Sequence, residues 1–107
     1  MRKFEYRSAR FSTDIPLRYA DSSCETSGVC TQVSPDGMEV RLADSPQVGN
    51  SGRIFLIFED QTIEIEVRVA HVNEDRCGMK FVYKSERERK MMNELVVLAR
   101  RARESSV

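Results

Sequence analysis

Apolar and polar positions alternate along most of the chain, and near residue 85 that two-residue period gives way to a helical one. Ile15, Leu17 and Tyr19 alternate with their neighbours and predict a first strand over Phe11 to Tyr19, with Pro16 indicating an edge position or a strand start. Ala20 to Gly28 is small and polar and reads as a loop. In the next run, Val29, Thr31 and Val33 alternate with Cys30 and Gln32 as far as the corner Ser34-Pro35-Asp36-Gly37. The strand resumes beyond it, with Met38, Val40 and Leu42 on one face and Glu39 and Arg41 on the other. After the breaker-rich connection that follows Leu42, Arg53 to Glu59 is an apolar run short enough for a buried strand. Ile63, Ile65, Val67 and Val69 then alternate with Glu64, Glu66, Arg68 and Ala70 in the clearest strand pattern of the chain, Thr62 to Val72. Cys77, Met79 and Phe81 mark a last strand.

From Ser85 the spacing becomes helical. Ser85 and Glu88 fit a capping box, Met91, Met92, Leu95, Leu98, Ala99 and Ala102 fall on one face, and Arg100, Arg101 and Arg103 stand near the C-terminal end, where the helix dipole favours cations. The apolar stripe suits a plug for one mouth of a sheet, or a Met-rich face for a partner. Six short antiparallel strands have edges to hide. A small barrel with the helix over an open end hides them, so the expected fold is all-β with one C-terminal helix. The chain divides into a basic lead-in (1–10), a barrel (11–83) and the helix (85–105), all within one domain.

Composition narrows the function. The 17 basic and 17 acidic side chains cancel, which disfavours general nucleic-acid binding. No apolar run approaches a membrane span and the N-terminus lacks the apolar segment of a secretory signal, so a cytoplasmic protein is expected. Its 3 cysteines cannot all pair within the chain, form no C-x-x-C motif, and read as free thiols. His71 has no ligating residue near it in sequence, and no metal site is expected. No nucleophile–base–orienter set and no P-loop is present, so an enzyme is not expected.

Two features remain. Arg2, Lys3, Arg7 and Arg10 form a basic cluster in an otherwise neutral chain, and Pro35-Asp36-Gly37 is turn chemistry in which glycine supplies either a positive φ or room for a close neighbour. The cluster reads as an anion clamp or as a solvated tail. Ser34 and Gly37 are turn residues in either case.

Taken in order, these pieces resemble the PilZ domain, a bacterial receptor module for cyclic di-GMP. The resemblance rests on Arg10-Phe11-Ser12-Thr13-Asp14-Ile15-Pro16-Leu17, on Gln32-Val33-Ser34-Pro35-Asp36-Gly37 at the place of the family's D/N-x-S-x-x-G, on Val48-Gly49, on Cys77-Gly78-Met79-Lys80-Phe81 and on Glu86-Arg87. It implies a six-stranded antiparallel barrel capped by the helix, with cyclic di-GMP as ligand and no cofactor. Implied ligand-binding residues are Arg2, Lys3, Arg7 and Arg10 folding over the nucleotide, and Gln32, Ser34 and Gly37 beneath it. Guanidinium groups suit that task because they fork onto phosphate, read the O6/N7 edge of guanine and stack on base faces. Two positions depart from the family pattern. In the family's R-x-x-x-R motif the partner of Arg10 is Tyr6, while a second register pairs Lys3 with Arg7; Gln32 replaces an aspartate or asparagine.

Two readings follow. One is a nucleotide receptor that changes its surface on binding and so regulates a partner protein, in motility or surface behaviour by the resemblance. The other, motivated by Tyr6 and Gln32, is a PilZ-like adaptor that binds no cyclic di-GMP and acts through protein contact alone.

Overall fold

The alternating segments close on themselves. The computed structural model describes residues 11–105, in which β1 (Phe11–Ala20), β2 (Glu25–Val33), β3 (Gly37–Leu42), β4 (Ser51–Phe58), β5 (Gln61–Asn73) and β6 (Arg76–Val82) are followed by α1 (Glu86–Ser105). All strand pairs are antiparallel, and the order β1-β2-β3-β6-β5-β4 is closed by pairing of β4 with β1. Closure removes the free edges that six short strands would otherwise present.

The inward residues are those that the alternation selects: Ile15, Leu17 and Tyr19 of β1, Met38, Val40 and Leu42 of β3, Ile63 to Val69 in steps of two on β5, and Cys77, Met79 and Phe81 of β6. Pro16 lies where β1 has β2 on one side and not yet β4, because pairing with β4 starts at Leu17. The missing N–H therefore breaks no closed part of the ladder.

Four expectations change. The loop after β1 is shorter than its polar composition suggests, because β2 begins at Glu25 and Thr26 pairs with Tyr19. Thr26 Oγ1 is buried there and accepts the Asp44 N–H at 3.1 Å, so a polar side chain serves the core side of a strand. In β2 a bulge at Thr31, between Cys30 and Gln32, shifts the alternation so that Cys30 and Val33 both point inward. The helix buries Met92, Leu95, Val96 and Ala99 over the barrel, while Leu98, expected on that face, is exposed together with Val97. The stripe thus acts as a plug. Its cap is also displaced by one residue at one of the two bonds: Ser85 Oγ accepts the Glu88 N–H at 3.2 Å, but the Glu88 carboxylate reaches back to the N–H of Lys84, at 2.8 Å.

One side of the barrel is locked by Tyr19. Its ring is fully buried over Gly52 of β4, where an added Cβ would stand 2.6 Å from Tyr19 Cε1 and Oη. Its hydroxyl donates to Asp21, whose carboxylate also accepts from the Ser23 N–H at 2.8 Å and from Asn50 Nδ2 at 3.1 Å. Burial and the Asp21 carboxylate both drive the Tyr19 phenol pKa up. At Asp21 burial pulls the pKa up, but the bonds from Tyr19, Ser23 and Asn50 outweigh it and hold the carboxyl below its ordinary value.

Candidate functional site

The β2–β3 corner is built around one hydroxyl. Ser34 is buried, its N–H donates to the Gly37 carbonyl at 2.9 Å, and its Oγ accepts the N–H groups of Asp36 and Gly37 at 3.2 and 3.3 Å. Ser34 therefore fixes the turn from within and presents the corner backbone as a rigid rim. Gly37 meets its neighbour closely: a Cβ there would stand 2.2 Å from the Met79 carbonyl oxygen of β6. Of the two reasons for a glycine at this position, room for a close neighbour is the one the geometry requires.

Beside this rim a groove of about 590 Å³ opens on the outer face of β3, β6 and β5. The strand pairing explains why it exists. Gln32 lies opposite Glu39, Glu39 opposite Gly78, and Gly78 opposite His71, so these four residues form one outward row across β2, β3, β6 and β5. The adjacent row pairs Gly37 with Lys80. Each of the two rows thus has a glycine where a side chain would fill the surface, and the barrel wall is correspondingly dished. At about 4.8 Å per strand, Gln32 and His71 stand roughly 14 Å apart at the ends of their row.

The walls carry charge of both signs. Asp36 and Glu39 contribute carboxylates, and Lys80, Arg89 and His71 contribute cationic or donor groups. Among the described residues no carboxylate lies within ion-pair distance of Lys80. Tyr83 closes one side. Its hydroxyl donates to the Pro35 carbonyl, its ring lies 5.8 Å from that of Phe81, and the Arg89 guanidinium sits over it, 4.7 Å from the centroid. Burial pushes the Tyr83 phenol up to about 12, against the opposing charge of Arg89, so it stays protonated and keeps its bond to the corner. The Phe81 N–H to the Asp36 carbonyl at 3.0 Å is a second tie between corner and β6.

The residues expected at the site are only partly brought together. Ser34 and Gly37 line the groove. Gln32 does not: it is half-buried beside Glu39 at the end of the row, placed there by the bulge at Thr31. Arg2, Lys3, Arg7 and Arg10 lie outside the described residues. The groove also contains residues not selected from sequence, namely Lys80, Tyr83, Arg89 and His71. Their approach depends on strand register, for which sequence spacing holds no direct signal. The cysteines are free thiols; Cys30 and Cys77 are sealed in the core, and burial pushes Cys30 up to about 12, which makes it a poor nucleophile at neutral pH. Among the described residues no cluster of His, Cys, Asp or Glu has the grouping of a metal site, and no helix is long and apolar enough to cross a membrane.

Comparison with solved structures finds the same architecture. The PilZ domain of YcgR from Escherichia coli, solved with c-di-GMP, superposes with a TM-score of 0.78 at 14% identity, covering 99% of this chain and 98% of that one. The PilZ domain of CeSA from a cellulose-synthesizing bacterium gives 0.72 at 16% identity, over 84% of this chain and 96% of that one. The Bacillus subtilis inhibitor of motility, MotI/DgrA, gives 0.71 at 18% identity, over 88% of this chain but 50% of the longer protein. No curated protein matches the chain by sequence. Identities this low carry the fold alone; the family is shown by the sequence match to the PilZ domain, which runs over residues 2–98. With the closed six-stranded barrel, the single C-terminal helix and the Ser34–Gly37 corner in place, this chain belongs to the PilZ domain family.

Proposed function

We propose that this protein is a cyclic di-GMP receptor whose ligand occupies the groove beside the Ser34–Gly37 corner. The observation that carries the reading is the opening of that corner onto a cavity of about 590 Å³, within the range of small-ligand sites, with Lys80 and Arg89 on its walls. A dianionic dinucleotide needs cations for its phosphates and close backbone approach for its sugar and base edges. The groove offers both, and Arg7 and Arg10, assisted by Arg2 and Lys3, add the guanidinium forks that recognise phosphate and guanine. Ser34 acts by holding the N–H groups of Asp36 and Gly37 in the turn. Gln32, at the end of the row, is a marginal contact. Occupation of the groove, which touches the start of α1 through Arg89, changes the surface offered to a partner protein.

The test is calorimetric titration of the full chain, free of tags at the N-terminus, with cyclic di-GMP and with GTP as control. Micromolar binding is expected, with no response to GTP. Removing one charged contact typically costs about 1.5–3 kcal/mol, so Arg7→Ala and Arg10→Ala are each expected to weaken binding roughly tenfold to a hundredfold. If both variants bind as the parent does, the clamp assignment is wrong. Absence of heat from the parent would leave the ligand-free adaptor as the reading.

A further inference from the structure

His71 occupies its place in the groove through two features of the backbone, a bulge in β5 and a glycine on the facing strand. Alternation along β5, with Val67 and Val69 inward, would turn residue 71 inward as well. A bulge at Ala70, between Val69 and His71, reverses the phase, so His71 points outward and Val72 packs against the core instead. The bulge also sets His71 opposite Gly78 of β6, and the imidazole lies on that glycine. A Cβ at Gly78 would stand 2.0 Å from His71 Cε1 and 2.5 and 2.6 Å from Nε2 and Nδ1. An edge-on ring would hold the two nitrogens much farther from that point than Cε1; their near-equal short distances mean that the ring meets the glycine with its face. Any larger residue at 78 would displace it.

The seat covers one face of the ring and leaves His71 exposed on the groove. A flat π-surface on a dished wall, with Lys80 also on the groove, is the arrangement on which nucleic-acid bases stack while the phosphates are held by charge. We infer that His71, seated on Gly78, is a stacking platform for a purine base of the bound nucleotide. This inference rests on the proposed nucleotide-binding function and extends it to a residue outside both motifs that suggested it. The platform stands on the far side of the groove from Gln32, so base recognition here relies less on the substituted corner position and more on the β5–β6 wall.

His71 is the only histidine in the chain, which makes the test direct. Its imidazole carbon-bound protons give isolated NMR signals, assigned by their disappearance in His71→Ala. Titration of the full chain with cyclic di-GMP is expected to move both signals upfield, as a base ring comes to lie over them. In parallel calorimetry His71→Ala is expected to weaken binding about tenfold, and His71→Phe, which keeps a flat ring, to bind within about threefold of the parent. Thermal melts of both variants establish that they are folded. Binding by the parent with unmoved imidazole signals, or with equal affinity in His71→Ala, overturns the platform and leaves the receptor standing. A parent that does not bind overturns both.

Discussion

Two aromatic rings in this barrel rest on glycines of a neighbouring strand, and they serve opposite ends. Tyr19 lies over Gly52 inside the wall, fully buried, with its hydroxyl committed to Asp21. His71 lies over Gly78 on the outside, exposed at the groove. The difference is what each ring leaves unused. At Tyr19 every polar group has a partner, and among the described residues no buried side-chain nitrogen or oxygen lacks one. That side contributes stability and offers nothing to a ligand. At His71 one ring face is spent on the glycine, while the groove retains a lysine without a carboxylate partner among the described residues. The same packing device therefore locks the scaffold at one place and, in the proposed receptor, builds a recognition surface at the other.

The contrast can be broken most severely at the lock. Tyr19→Ala removes a buried aromatic and strands part of the Asp21 network; a loss of about 3–5 kcal/mol is expected in urea unfolding. That is a large share of the stability of a small domain. Asp21→Ala leaves the buried Tyr19 hydroxyl without its acceptor and is expected to cost about 1–3 kcal/mol at neutral pH. Its pH dependence has a definite sign. The folded pKa of Asp21 lies below its unfolded value, so its stabilisation is present above the unfolded pKa and is lost as pH falls through the folded one. Urea melts from neutral to acid pH should show parent and variant converging as the solution becomes acid; a constant gap would contradict the assignment. Tyr83→Phe removes the bond to the Pro35 carbonyl and is expected to cost about 0.5–1.5 kcal/mol, with faster hydrogen exchange at Asp36 and Gly37. Smallest of all, His71→Ala should change stability by no more than about 0.5 kcal/mol, because the ring is exposed. A large loss there would make His71 a structural cover like Tyr19.

Much of this architecture is legible along the chain. Strict alternation from Ile63 to Val69 fixes which face of β5 is core, and the change of period at Ser85 marks the helix, because side-chain direction has a period of two in strands and 3.6 in helices. The departures are places where backbone irregularity intervenes. The bulges at Thr31 and Ala70 each move one polar residue relative to its neighbours, and neither sequence carries a breaker that announces it. Leu98 fits the helical stripe by spacing, yet Val96 takes the buried place: the covered face is Met92, Leu95, Val96 and Ala99, and spacing alone does not say which edge of an apolar stripe will be covered. At the candidate site, Ser34 and Gly37 are readable because turn chemistry is local. Lys80, Arg89 and His71 are not, because pairing across β3, β6 and β5 and the packing of α1 bring them to one groove.

The most direct test of the groove as the ligand site is an amide chemical-shift map of the full chain titrated with cyclic di-GMP. The account predicts large changes at Gly37, Gly78, Lys80 and His71, on the dished wall, and little change at Tyr19 and Gly52 in the sealed one. Changes centred on Tyr19 and Gly52, or a saturating ligand that leaves Gly37 and Gly78 unmoved, would contradict it.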